Sequence, residues 1–269
     1  MSQPVGVFDS GIGGVSVLTA IQKELPALDM IYVGDNLHLP YGEKSMPEIR
    51  EYSKGVVEFL IAKECSVIVI ACNTASAAAL KYLRETFPQV VFIGMEPAVK
   101  PAAEQTQTGV VGVIATTATF QGELFASVVE RFASGVKVIQ QPCPGLVQQI
   151  EAGELSSPTT MQMLHGWLDP MKAQNIDRLV LGCTHYPFVA PAIKEILGDG
   201  VSIIDPAPAI AKQVRRVLAQ RNQEPNNTIG STTCYTSGDE KKFAETYVQL
   251  TGQSQVVQHV QWNGNTLEI

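Results

Sequence analysis

Short apolar runs alternate along the chain with longer segments in which apolar residues recur at helical spacing. Most of the runs are rich in Val and Ile without polar alternation, which is typical of strands buried on both faces. We predict strands at 5–8, 30–33, 67–71, 90–93, 110–114, 136–140, 178–181 and 201–204. We predict helices near 15–25, 46–63, 75–86, 121–133, 158–174, 189–197 and 207–221. Strands that alternate with helices indicate an α/β fold with largely parallel sheets.

The chain resembles itself in three places that occur in the same order. Residues 5–10 match 111–116, residues 67–74 match 177–184, and the Ile-Pro-Ala pattern at 93–98 recurs at 204–209. Ordered matches at nearly one offset indicate two duplicated α/β halves, with a site in the cleft between them. We predict one domain of residues 1–97 plus a returning segment, 207–269, and a second domain of residues 98–206.

The returning segment has two predicted parts. A helix is predicted over 235–250, and the polar stretch 221–233 is predicted to be a mobile connection.

Composition and charge exclude several classes of function. The 269 residues carry a net charge of −7 and no run of Lys or Arg, so we expect no nucleic-acid partner. The longest apolar stretch, 67–72, is too short to cross a bilayer, and no secretory signal pattern precedes Val5. We therefore expect a cytoplasmic protein with no membrane partner.

The cysteines indicate neither a disulfide framework nor a metal site. Their number is odd, and they lack the C-x-x-C and Cys/His spacings of zinc sites, so we predict no metal. Each is either a small buried hydrophobic residue or a reactive thiol. The five are Cys65, Cys72, Cys143, Cys183 and Cys234.

Polar clusters follow four of the predicted strands. Ligands of open parallel sheets bind beyond the carboxyl ends of the strands, so facing halves would bring these clusters into one cleft. The clusters are Asp9-Ser10, Cys72-Asn73-Thr74, Thr116-Thr117 and Cys183-Thr184-His185.

Cys72 and Cys183 are the strongest candidates for chemistry. Each follows a buried strand and precedes a predicted helix start, where backbone N–H groups favour a thiolate. Two thiols on opposite faces of a carbon can remove its proton on one side and return one on the other, which is racemisation. The alternative is that both are buried structural cysteines; their matched placement favours chemistry, whereas Cys65, Cys143 and Cys234 lack that context.

The neighbouring polar residues have both a functional and a structural interpretation. Asp9 and His185 are candidates to tune a thiol or carry its proton, and Asp9 could instead cap a helix or His185 pack in the core. Neutral donors at the strand ends suit a carboxylate or a helix cap equally. The glycines at 11–14 do not complete a G-x-G-x-x-G motif, so we expect a tight turn with exposed N–H groups.

Four ordered motifs resemble those of bacterial glutamate racemases, within the aspartate/glutamate racemase family. They occupy residues 8–14, 40–45, 71–77 and 182–187, and residues 235–239 are similar to a later family segment. The resemblance implies two pseudo-symmetric α/β domains. It also implies cofactor-independent interconversion of L- and D-glutamate, which supplies D-glutamate for peptidoglycan, by a homodimer.

The resemblance also implies roles for individual residues. Cys72 and Cys183 match the two acid/bases, with Cys72 acting on D-glutamate and Cys183 on L-glutamate, and Asp9, His185 and Glu151 match assisting residues. The residues that match substrate contacts are Asp9, Ser10, Tyr41, Gly42, Asn73, Thr74, Thr116, Thr184 and His185.

Several alternatives stay open. Aspartate racemases share the two-cysteine layout but usually have Glu after Cys-Thr, where this chain has His185. Residues 36–39, which flank the 40–45 motif, depart from the family pattern. A two-lobed binding protein is the alternative outside enzymes. We expect the protein to lack the N-terminal extension of the family's regulated members, so regulation by a cell-wall precursor is not predicted.

Overall fold

Two parallel sheets form the framework of the protein, in a computed structural model that describes residues 3–224 and 229–269. The strands are β1 (Val5–Asp9), β2 (Met30–Gly34), β3 (Val67–Ile70), β4 (Val91–Gly94), β5 (Val110–Ala115), β6 (Lys137–Pro142), β7 (Arg178–Gly182), β8 (Ser202–Ile204), β9 (Thr232–Thr236), β10 (Val257–His259), β11 (Gln261–Asn263) and β12 (Thr266–Glu268). The first sheet has the order β10-β9-β2-β1-β3-β4 and the second has the order β6-β5-β7-β8. A separate antiparallel hairpin joins β11 and β12.

Helices cover both sheets. They are α1 (Val15–Glu24), α2 (Met46–Ala62), α3 (Asn73–Thr86), α4 (Val99–Gln105), α5 (Thr117–Gln121), α6 (Glu123–Phe132), α7 (Leu146–Glu151), α8 (Pro158–Ala173), α9 (Ala190–Leu197), α10 (Ala207–Gln220) and α11 (Glu240–Thr251). Every residue of β1 and β3 is buried, because separate apolar clusters pack on the two faces of the first sheet. Each of the eight predicted strands, and each of the seven predicted helices before 222, overlaps an observed element of the same type. These predictions are confirmed, and so is the α/β fold class.

The predictions for residues 221–250 are partly wrong. The predicted helix at 235–250 begins at Glu240, because the Asp239 side chain accepts hydrogen bonds from the N–H groups of Lys241 and Lys242 at 2.9 Å. Residues 232–236 form β9 instead, which pairs in parallel with β2. The predicted mobile connection at 221–233 thus ends in a strand, and residues 225–228 lie outside the described residues.

The two sheets take their strands from separate parts of the chain. The first sheet takes its strands from residues 5–94 and 232–259, and the second takes them from residues 110–204. The boundaries at 97 and 207 stay a prediction. None of the described helices combines the length and apolar character needed to span a bilayer.

Candidate active site

The structure brings the four predicted strand-end clusters together from the two sheets. Thr184, after β7, donates a hydrogen bond through Oγ1 to Asp9 Oδ1 at 3.2 Å, at the end of β1. Thr74, after β3, lies 2.9 Å from the Thr116 hydroxyl, after β5. Asp9, Thr74 and Thr184 are each at most 3% exposed, so these contacts form inside the protein.

Cys72 caps the helix that follows its strand. Its Sγ accepts a hydrogen bond from Ala75 N–H at 3.4 Å and lies 3.8 Å from Ser10 Oγ. Burial, and then the charge of Asp9, raises the pKa of the Cys72 thiol well above its ordinary value. Cys72 is therefore a neutral thiol, able to donate a proton, when no ligand alters its surroundings.

Cys183 begins a chain of polar groups that ends at the backbone of the 11–14 turn. Its Sγ lies 3.8 Å from His185 Nδ1, and His185 Nε2 lies 2.7 Å from Glu151 Oε1. The same Glu151 oxygen accepts a hydrogen bond from Ile12 N–H at 2.8 Å. Burial lowers the pKa of His185, but the contacts with Cys183 and Glu151 outweigh burial and hold that pKa well above its usual range. The arrangement favours an imidazolium beside Cys183.

Asp9 is a fully buried carboxyl group held by backbone donors. Its Oδ2 accepts hydrogen bonds from Gly14 N–H at 2.9 Å and Gly11 N–H at 3.3 Å. A side chain at position 14 would clash, because a Cβ there would lie 2.6 Å from Asp9 Cβ. Burial raises the pKa of Asp9, against the opposing charge of His185 and the bond from Gly14. Asp9 is thus poised to hold a proton more readily than an exposed aspartate.

The turn at 40–43 closes one side of the cluster. The Tyr41 ring is buried, and its hydroxyl donates to Asp35 Oδ2 at 2.7 Å, so the hydroxyl is already occupied. Gly42 lies close to the opposite cluster, because a Cβ at this position would be 2.9 Å from Thr116 Cβ. The backbone of this turn, rather than the Tyr41 hydroxyl, is the part able to meet a ligand.

Asn73 is the strongest indication that the cluster binds a polar molecule. Its side chain is buried, and within residues 3–224 and 229–269 neither its Nδ2 nor its Oδ1 has a hydrogen-bond partner. A buried unsatisfied polar atom costs about 1–3 kcal/mol, so such atoms are rare unless something else satisfies them. Asn73 lies beside Cys72, where a bound polar molecule would supply both partners.

The structure adds residues that the sequence did not single out. The Thr119 hydroxyl lies 2.9 Å from Thr116 Oγ1 and 3.3 Å from Thr74 Oγ1, and Asn36 Nδ2 donates to Glu151 Oε2 at 3.3 Å. The three-residue spacing of Thr116 and Thr119 is a helix-capping signal that could have predicted their contact. Asn36 had no comparable signal.

All five cysteines are free and buried. Burial raises the pKa of Cys65 and of Cys234 to about 12. Cys143 lies nearer the cluster than expected, because it lines a recess of about 50 Å³ together with Gly42 and Thr116. Among the described residues, no group of three His, Cys, Asp or Glu side chains is placed to hold a metal ion.

Comparisons with known proteins point in one direction. A family model described as Asp/Glu/Hydantoin racemase matches residues 5–214. A glutamate racemase of Stutzerimonas stutzeri is 48% identical over 255 residues, which are 95% of this chain and 96% of the relative. The glutamate racemase RacE1 of Bacillus anthracis superposes with a TM-score of 0.88 at 30% identity, with 98% of each chain covered. The Francisella tularensis glutamate racemase in complex with D-glutamate superposes with a TM-score of 0.85, at the same identity and coverage.

Proposed function

The chain belongs to the Asp/Glu/Hydantoin racemase family, and from this we propose that it interconverts L- and D-glutamate through Cys72 and Cys183, without a cofactor. The observation that carries the proposal is that two buried cysteines, from the ends of corresponding strands of two sheets, belong to clusters joined by direct hydrogen bonds. Reactions of this kind are isomerisations, in which no atom is gained or lost.

In the proposed step, one cysteine acts as base and the other as acid. In the direction from L to D, the Cys183 thiolate takes the α-proton, and the electron pair left on the carbon accepts a proton from the Cys72 thiol on the opposite face. The reverse direction exchanges the roles. The raised pKa of Cys72 suits the acid role in the L-to-D direction, because it keeps the thiol protonated until the carbanion forms.

His185, Glu151 and Asp9 assist in this proposal. An imidazolium at His185, stabilised by Glu151, places a positive charge 3.8 Å from Cys183 Sγ. Asp9 accepts hydrogen bonds from the backbone of the 11–14 turn and from Thr184. It lies at the end of β1, which pairs with β3, the strand that precedes Cys72. The burial of the cluster strengthens each of these interactions, which the weakly acidic α-carbon requires.

Substrate binding is proposed to use neutral donors. Asn73 supplies the unsatisfied amide, and the turn at Tyr41 and Gly42 supplies backbone N–H groups for a carboxylate. The hydroxyl groups that complete the set belong to Ser10, Thr74, Thr116 and Thr184. Glutamate is favoured over aspartate by the named relatives and by the complex of the Francisella protein with D-glutamate.

The resemblance to bacterial glutamate racemases supports a proposal for compartment, oligomeric state and metabolic role. We propose a cytoplasmic homodimer that supplies D-glutamate for peptidoglycan. Aspartate racemisation is the second candidate, since the matching family model includes both substrates.

The test is incubation of the reduced protein with L-glutamate in D₂O, with chelator and without pyridoxal phosphate. We expect loss of optical activity with deuterium at the α-carbon. Cys72→Ser and Cys183→Ser should each lower racemisation by about 10²- to 10⁴-fold, the usual contribution of one acid or base, while Cys65→Ser should not. Retained turnover in either site variant would overturn the two-cysteine mechanism. Activity with aspartate but not with glutamate would show that aspartate is the substrate instead.

The same variants test which cysteine acts on which enantiomer. L- and D-glutamate have equal free energy in water, so kcat/KM is equal in both directions for every variant. An asymmetry must therefore appear in exchange of the α-proton of each enantiomer. We expect Cys183→Ser to lose exchange of L-glutamate first and Cys72→Ser that of D-glutamate; symmetric loss would refute the assignment.

A further inference from the structure

A buried carboxylate outside the cysteine cluster connects the β11–β12 hairpin to the 40–43 turn. Asp35 follows β2, is fully buried, and contacts both Trp262 of the hairpin and Tyr41 of the turn. We propose that the hairpin positions the substrate-binding turn, and that Trp262 acts through Asp35 to set the affinity for the substrate. This inference rests on the proposed function, which gives the turn its role.

The Asp35 carboxylate is saturated with donors. It accepts hydrogen bonds from Trp262 Nε1 at 2.8 Å and Ser237 Oγ at 2.7 Å on Oδ1, and from Tyr41 Oη at 2.7 Å on Oδ2. His38 Nδ1 lies 2.8 Å from Oδ2. A carboxylate offers about four acceptor sites, so each of these donors is needed to balance a charge that has no access to water. Removal of one donor would leave a buried carboxylate oxygen short of a partner, so the carboxylate and its remaining donors, Tyr41 among them, would shift to compensate.

Tyr41 carries this effect into the site. Burial, and then the Asp35 charge, holds the pKa of Tyr41 well above its usual range, so its hydroxyl is a permanent donor to Asp35. The position of the ring then fixes the backbone of Tyr41 and Gly42, which lies tightly against Thr116. A shift of Tyr41 therefore displaces the backbone N–H groups that the proposed function assigns to the substrate carboxylate, and the affinity for the substrate falls.

The hairpin is docked too closely to be a loose appendage. A Cβ at Gly55, in the middle of α2, would lie 2.5 Å from both the Trp262 ring and the Asn265 carbonyl oxygen. Glycine is unfavourable inside a helix, so its presence here serves this close approach. The Trp262 ring also meets the edge of His38, which stacks on Tyr52 at 3.8 Å. These contacts hold the indole N–H in line with Asp35.

The test compares Trp262→Phe with Trp167→Phe, which replaces the other tryptophan of the chain. Phe keeps a ring in place but removes the N–H donor to a charged acceptor. We expect KM for glutamate to rise about tenfold in Trp262→Phe, with a smaller change in kcat and no change in Trp167→Phe. Unchanged KM together with a lower Tm would show that the hairpin only stabilises the fold and would overturn the proposal.

A second readout does not depend on turnover. Hydrogen exchange of the amides at 41–44, measured without glutamate, should be faster in Trp262→Phe than in the wild-type protein. Tyr41→Phe should raise KM as well, and the double variant should show less than the product of the two effects, because both act through Asp35. Unchanged exchange or independent effects would refute the link. Absence of racemisation by the wild-type protein would remove the proposed function but leave this exchange test intact.

Discussion

Replacing Glu151 by Gln tests the polar chain behind Cys183 with almost no change in shape. Gln keeps an acceptor for Ile12 N–H and for His185 Nε2 but removes the negative charge 2.7 Å from the ring. The side chains of His185 and Glu151 are only 2% and 14% exposed, so solvent screens their interaction weakly. The pKa of His185 should therefore fall toward its ordinary value.

The size of the effect follows from the hydrogen bond that changes. Bonds to charged groups contribute about 1.5–3 kcal/mol and neutral ones about 0.5–1.5 kcal/mol, a difference of about 1–1.5 kcal/mol. If that difference is expressed in the transition state, kcat/KM falls about tenfold. We expect this loss at pH 8, with the alkaline limb of the kcat/KM profile displaced to lower pH.

The raised pKa of His185 also predicts how the stability of the fold depends on pH. The pKa of His185 is raised on folding, so its stabilising contribution is complete below the unfolded pKa of about 6.5 and is lost as pH rises through the folded value. The Tm difference between Glu151→Gln and the wild type should be largest near pH 6 and shrink at higher pH. Glu154→Gln, an exposed control on the same segment, should change neither property. An unaltered kcat/KM profile for Glu151→Gln would refute the role of the charge.

Two further substitutions test the buried charge of Asp9 and the close approach of Gly42 to Thr116. Burial raises the pKa of Asp9, so its ionised form lowers the stability of the fold above the unfolded pKa. In thermal unfolding at pH 8, Asp9→Asn should therefore keep or raise Tm, while its racemisation falls at least tenfold. A loss of both Tm and racemisation would contradict this prediction. Gly42→Ala places a Cβ 2.9 Å from Thr116 Cβ and should lower kcat/KM about tenfold by steady-state assay, since overpacking costs about 1–3 kcal/mol. Gly166→Ala, in open space on a helix, is its control, and equal kinetics for the two variants would refute the close approach.

The framework of the site could be predicted from the sequence, because a short apolar run identifies a buried parallel strand without any knowledge of its distant contacts. The apolar runs of Val and Ile in β3 and of Leu and Val in β7 show where each strand ends, and they therefore also place the residues that follow each end. Cys72 and Cys183 could therefore be assigned to one edge of their sheets before their distances were known. The same logic gave Asp9, at the end of β1.

The parts that could not be predicted depend on long-range contacts. The Thr-rich β9 has no continuous apolar run, and it becomes a strand because it pairs with β2, about 200 residues earlier. The helices α4, α5 and α7 have five to seven residues, too few to show a helical period. The contact of Asp35 with Trp262 joins positions 227 apart, and neither residue carries a local signal for it.

The two halves of the candidate site are alike in position but not in surroundings, and the proposed racemisation permits this. Cys183 is backed by an ionisable pair, whereas Cys72 contacts a hydroxyl and a backbone N–H group. Equal energies of the two enantiomers constrain only the ratio kcat/KM, which must be the same in both directions. Because the surroundings of the two thiols differ, kcat and KM for one enantiomer can both change by the same factor without a change in kcat/KM. It follows that the imbalance between Cys72 and Cys183 should appear as unequal kcat values whose ratio matches the ratio of the KM values.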